Sequence, residues 1–214
     1  METRAPSATL DRPAVAAASA SKISAPRIGW IVIARHGEPD ADRTVKLTNE
    51  QFAEWWSAYD RTGLKSTSLP PQTLIDIGGQ ADVVFASTLP RAIRTAESVA
   101  PGKSIVTDPV FVEAPLPAPR MSGKRNASTW GVLARICCWL RDDHYQVTKS
   151  AAKLRAQAGA ATLTARALRG ENVLLCGHGW FNRMMRPVLK AQGWRCVYDG
   201  GDKYWSWRKY EKRQ

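Results

Sequence analysis

With 214 residues, 44% of them hydrophobic, the chain is long enough for one domain with a proper core and short for two. Its 31 Lys and Arg against 19 Asp and Glu give a formal charge of +12, which favours anionic partners. No apolar run is long enough to span a bilayer, the basic residues are scattered apart from Arg208-Lys209 and Lys212-Arg213 near the end, and the four cysteines follow neither a disulfide framework nor a zinc spacing. The composition therefore excludes a membrane span and sets nucleic acid aside as a partner. Cys137, Cys138, Cys176 and Cys196 read as buried reduced thiols of a cytoplasmic protein.

Met1 to Pro26 is rich in Ala, Ser, Pro and Thr, without periodicity and without the apolar centre of a secretory signal. It reads as a disordered leader, residues 1–26, ahead of a folded domain over 27–214. Ile28 to Ala34 is a continuous, β-branched apolar run, the pattern of a strand buried on both faces. The charged cluster Arg35, His36, Gly37, Glu38 comes at once after it, at the carboxyl end where α/β sheets place their sites. Thr48 and Gln51 predict a capping box for a helix carrying Phe52, Trp55, Trp56 and Tyr59. That aromatic stripe reads as core packing, with a ligand platform as the other reading. Gly63 ends the helix, and Leu64 to Gln72 reads as a loop.

Asp82 to Ala86 predicts a second strand, and Pro90 opens a helix reaching Val99. Ser104 to Thr107 predicts a third strand. Pro109 to Pro119 reads as extended and carries Glu113, and Met121 to Asn126 as a basic loop over a site. Thr129 to Leu140 predicts a helix with Trp130, Leu133, Cys137 and Leu140 on one face. Thr148 to Arg169 predicts a longer one, with Leu154, Ala158, Ala161, Ala165 and Leu168 at helical spacing and Gly170 as its stop. Asn172 to Cys176 predicts another buried strand, ending at Gly177-His178-Gly179. A helix from about Phe181 to Ala191 and a last strand over Lys203 to Trp207 complete the pattern. Strands alternating with helices indicate an α/β domain.

Of three histidines, His36 and His178 share one setting, the end of an apolar strand with Gly next. His144 lies in the polar run Arg141-Asp142-Asp143-His144 and reads as surface. A neutral imidazole can attack phosphorus. Arg35 offers a guanidinium fork for phosphate oxygens, and Arg91, in the first turn of a helix, reaches the same rim. The positive helix end favours an anion, and Gly37 and Gly179 leave room for phosphate against the backbone.

Arg35-His36-Gly37-Glu38 resembles the first motif of the histidine phosphatase superfamily, which includes the cofactor-dependent phosphoglycerate mutases. Ser87 to Glu97 (Ser-Thr-Leu-Pro-Arg-Ala-Ile-Arg-Thr-Ala-Glu) is similar to its second motif, and Gly177-His178-Gly179 to its third. The motifs stand in family order, each after an apolar strand, between about Ile28 and Arg186. The resemblance implies a three-layer α/β sandwich with a mostly parallel central sheet and helices on both faces. It also implies a phosphomonoesterase in which His36 becomes a phosphohistidine, Arg35, Arg91 and His178 hold the phosphoryl group, and no metal or other cofactor is needed. The acid of such enzymes lies between the second and third motifs. Glu113 fits that place, its other reading being a surface charge, and Glu38 and Glu97 are weaker candidates.

Two positions depart from the family pattern. Pro39 and Asp42 stand where relatives carry Ser or Thr and Asn, and Asp42 repels phosphate unless turned away or paired with Arg43. Trp180 is bulky; it either walls the pocket and selects a flat substrate or packs on the Trp-rich helix. The expected partner is a small phosphorylated substrate or a phosphoprotein. Leu64–Gln72, Pro115–Asn126 and Trp180 shape that choice. A mutase-like phosphoryl transferase and a non-catalytic phosphate-binding module are the alternative functions. The mutase ranks lower because the chain is shorter than those enzymes.

Overall fold

The structure, a computed structural model, describes Met1 and residues 27–137 and 146–212. The expected leader, and the positions Cys138, Leu140 and His144, lie outside the described residues. The central element is a six-stranded sheet. Its strands are β1 (Ile31–Arg35), β3 (Val83–Ala86), β4 (Ile105–Thr107), β6 (Val173–Gly177), β7 (Trp194–Asp199) and β8 (Trp207–Lys212), in the order β4-β3-β6-β1-β8-β7. β4, β3, β6 and β1 are parallel; β8 runs antiparallel to β1, and β7 to β8. Two short strands, β2 (Lys46–Leu47) and β5 (Arg125–Asn126), pair separately.

The continuous apolar runs have the burial they predict, because both faces of the sheet are covered. Ile31, Ile33, Val83, Phe85, Val173 and Leu175 face α5 (Gln146–Leu168) and α6 (Gly179–Ala191). Val32, Ala34, Val84, Ala86, Leu174 and Cys176 face α2 (Gln72–Gln80) and α3 (Pro90–Val99). A third cluster joins α1 (Asn49–Asp60) to α4 (Ala127–Ile136) through Phe52, Trp130 and Ala134, with Leu116 between. The layers are those of an α/β sandwich. Among the described residues no helix is long and apolar enough to cross a membrane.

The Thr48 capping box closes as predicted: Gln51 N–H donates to Thr48 Oγ1, and Thr48 N–H donates to Gln51 Oε1 at 3.0 Å. Elsewhere the expectations need correction. α5 buries Ala152, Ala156, Ala160, Leu163 and Ala167, whereas Leu154, Ala158, Ala161, Ala165 and Leu168 face solvent. In an alanine-rich helix two faces have the same spacing, and packing against α6 selects the one with the smaller side chains. The last strand is not Lys203–Trp207 but Trp207–Lys212, where Arg208 and Tyr210 alternate inward. β7 reads poorly because it is an edge strand exposed from Arg195 to Asp199. Among the described thiols only Cys176 is buried; Cys137 is half-buried and Cys196 exposed, and all three are free.

Candidate active site

The site is built by the register of three parallel strands. Arg35 pairs with Gly177 across β1 and β6, so the next residues, His36 and His178, emerge side by side. Ala86 pairs with Cys176 across β3 and β6, which brings Ser87 and the start of α3 alongside. The ring centroids of His36 and His178 lie 5.1 Å apart at 61°. Three segments distant in sequence thus meet at the carboxyl ends of adjacent strands, and Arg91 arrives with α3.

His36 is 3% exposed. Its Nδ1 lies 2.7 Å from Gly37 O. A carbonyl only accepts, so Nδ1 carries the proton and Nε2 keeps its lone pair. Burial, then the positive charges of Arg91 and Arg35, hold the imidazole well below the usual histidine range, so it is neutral near pH 7. A neutral ring with a free Nε2 is the nucleophilic form. His178, completely buried, has Nε2 2.8 Å from Ser87 Oγ. That hydroxyl oxygen also accepts from Leu89 N–H at 3.2 Å. His178 Nδ1 is buried and makes no hydrogen bond among the described residues.

The arginines are held by backbone and aromatic rings. Arg35 Nη1 donates to Asp202 O at 2.5 Å, and its guanidinium lies 4.4 Å from the centroid of Tyr204. Arg91, 1% exposed, donates to Tyr59 O at 3.1 Å and to Asp60 Oδ1 at 3.0 Å. Arg43 donates to Tyr204 Oη at 2.8 Å. The Nε atoms of Arg35, Arg43 and Arg91 are buried and make no hydrogen bond among the described residues. Unsatisfied buried donors around a neutral imidazole suit an anion with several acceptor oxygens.

Glu113 reaches the same cavity and caps α6. Its Oε1 accepts from Ala114 N–H and Phe181 N–H, both at 2.8 Å, and Oε2 accepts from Trp180 N–H at 3.2 Å. Arg135 Nη2 stands 3.6 Å from Oε2. A carboxylate at a helix N-terminus is favourable for hydrogen bonding and for the helix dipole. The surface reading of Glu113 is therefore wrong in place. Glu38 pairs with Lys65, and Glu97 pairs with Arg94 on an exposed helix face; neither lines the cavity.

The cavity holds about 460 Å³. Arg35, His36, Arg91, Glu113 and Gly179 line it, whereas His178 and Gly37 are not part of its lining. Gly37 is needed for another contact. A Cβ there would stand 2.2 Å from the Trp205 ring, and its N–H donates to Thr95 Oγ1 at 3.0 Å. Asp42 is turned away, accepting from the Thr44 N–H and hydroxyl at 2.8 and 2.6 Å, and so does not oppose an anion. Trp180 walls the cavity, its ring 5.3 and 5.4 Å from the guanidiniums of Arg135 and Arg183. The aromatic helix divides: Phe52 packs in the core, while Trp56 and Tyr59 line the cavity. Of the expected substrate-shaping segments, Pro115–Asn126 contributes Leu116 to the cavity and Leu64–Gln72 contributes nothing directly. Ser68 instead accepts from Trp205 Nε1 and from Glu38 N–H, each at 2.8 Å.

One part of the site escapes sequence reading, the loop joining β7 to β8. Asp202 carboxylate takes ion pairs from Arg183 at 2.6 Å, from Arg208 at 3.0 Å and from Arg186, while its carbonyl holds Arg35. Burial pushes this carboxyl up, but the bonds from Arg183 and Arg186 override it and hold it well below the usual carboxylate range. Trp205 adopts φ 62°, a strained conformation for a non-glycine residue. The only local signal is Gly200-Gly201-Asp202, which marks a turn but not its target. Among the described residues no three His, Cys, Asp or Glu side chains group as metal ligands.

Comparison with known proteins agrees with this architecture. Phosphoserine phosphatase from Entamoeba histolytica, solved with 3-phosphoglyceric acid, superposes with a TM-score of 0.51 at 14% identity, over 85% of this chain and 90% of that one. Phosphoglycerate mutase from Bacillus anthracis superposes with a TM-score of 0.51 at 13% identity, over 78% of this chain and 82% of that one. At these identities the likeness is one of fold. No curated protein sequence matches the chain. Residues 31–195 match the model of the histidine phosphatase superfamily, branch 1, and the chain belongs to that family.

Proposed function

We propose that the protein is a phosphatase hydrolysing phosphate monoesters through a phosphohistidine on His36. The observation that carries this reading is the His36 tautomer. Nδ1 is committed to Gly37 O, and Nε2 is unprotonated among arginines with unsatisfied donors. His36 Nε2 attacks phosphorus, the ester P–O bond breaks, and the leaving oxygen takes a proton from Glu113. Water then attacks the same phosphorus, the N–P bond breaks, and Glu113 takes the water's proton. Arg35 and Arg91 donate to the phosphoryl oxygens, where charge grows in the transition state, and His178, with its ring centroid 5.1 Å from that of His36, supports the nucleophile from within the fold. Gly179 serves by leaving room for the Arg35 side chain, whose Nε would stand 3.2 Å from a Cβ there, and Gly37 by admitting Trp205.

His36→Ala tests the reading. Turnover of an aryl phosphate should fall by roughly three orders of magnitude or more, as expected on losing a nucleophile. Wild-type-like turnover would refute it.

A further inference from the structure

We infer that the ester group of the substrate is apolar, a hydrocarbon or aromatic body, rather than a polar acid or sugar. The inference rests on the proposed phosphatase reading and names the class of molecule that site takes.

The second wall of the cavity carries it. α4 turns one face to that wall: Ser128, Gly131, Val132, Arg135 and Ile136, at the spacing of a single helical stripe. Its other face, with Ala127, Trp130 and Ala134, is buried. Leu116, Trp56 and Trp180 complete this wall. Val132 and Ile136 are large apolar side chains left 59% and 40% exposed at the cavity. Gly131 lies in the middle of the helix, where glycine costs about 1 kcal/mol relative to alanine. A Cβ built on it meets nothing within 4 Å, so the space beside it is open.

Charge is distributed to match. Among the described residues neither Arg35 nor Arg43 has a carboxylate partner, and both stand with His36. On the second wall Arg135 already faces Glu113, and it donates to Ala114 O at 3.2 Å. Arg183 is bound to Asp202. Among the described residues, ion pairs thus reach every cavity guanidinium except those of Arg35 and Arg43. Away from His36 the cavity presents Leu116, Val132, Ile136 and the indoles of Trp56 and Trp180, together with the Ser128 hydroxyl and the guanidiniums of Arg135 and Arg183. An apolar body would cover Val132 and Ile136, which a small hydrated acid would leave in water.

The test compares three primary-alcohol esters with similar leaving groups: ethyl phosphate, 3-phenylpropyl phosphate and 3-phosphoglycerate. With the full chain, kcat/KM for the phenylpropyl ester should exceed both others by about tenfold or more, as burying several methylenes and a ring requires. Val132→Asp, on an exposed helix position, and Gly131→Leu, which fills the open space, should each collapse that ratio towards one. His36-dependent turnover that is equal or faster on 3-phosphoglycerate would overturn the inference while leaving the phosphatase intact. Calorimetric binding of the same esters to His36→Ala protein reads the preference without turnover. Tighter binding of the phenylpropyl ester supports it even if no ester is hydrolysed; equal or weaker binding overturns it.

Discussion

At the scale of single residues, the proposed chemistry depends on two histidines that are kept neutral by their surroundings. His36 and His178 are buried among arginines, so both resist protonation in the folded chain. The unfolded chain takes those protons near the ordinary value of about 6.5. Below that pH the unfolded state binds more protons than the folded one, so stability falls as pH falls. The slope approaches about 1.4 kcal/mol per pH unit for each histidine. The carboxylates held low by their hydrogen bonds, Asp42, Glu50, Asp199 and Asp202, lose their contribution only at more acidic pH. Urea unfolding at pH 7.5 and 5.5 should therefore show a clear loss of stability at pH 5.5. Equal stability at the two would contradict the buried neutral histidines.

At the scale of elements, the strands and their first helical turns are legible in the sequence, and the loop that completes the site is not. β1, β3 and β6 announce themselves by β-branched runs, and the residues just past each run land at one place because the strands are parallel neighbours. Glu113 is legible as an acid before the third motif, but its seat at the α6 N-terminus is a tertiary contact without a local signature. The β7–β8 loop reads as a turn, yet it positions Arg35, and Tyr204 lies 5.7 Å from His36 between ring centroids. Asp202→Ala should free Arg183, Arg186 and Arg208 together and loosen this loop. Because Asp202 is 39% exposed, solvent screens part of the loss, and the destabilisation should be roughly 1–2 kcal/mol. A fall of about tenfold in kcat/KM should accompany it as Arg35 loses its seat. Unchanged kinetics with lowered stability would show that the loop only holds the fold.

At the scale of the whole molecule, a parallel sheet covered on both faces delivers three motifs to one edge, and the α1–α4 pair walls the cavity above them. The buried face of α5 and the strand β7, which the sequence pattern does not reveal, supply none of the cavity's lining residues, so the site is readable where parts of the fold are not. Burial of alanine depends on which helix packs against it, and an edge strand lacks the apolar run of a central one. The central claim is that His36 carries the phosphoryl group. It is tested most directly by quenching Glu113→Gln protein during turnover of an aryl phosphate, whose leaving group needs little help, and mapping the bound phosphate by mass spectrometry. The account predicts one phosphoryl group on His36, stable in base and labile in acid, and none on Glu113→Gln protein that also carries His36→Ala. Hydrolysis that proceeds with no phosphoryl group on His36, or with the group on another residue, would contradict it.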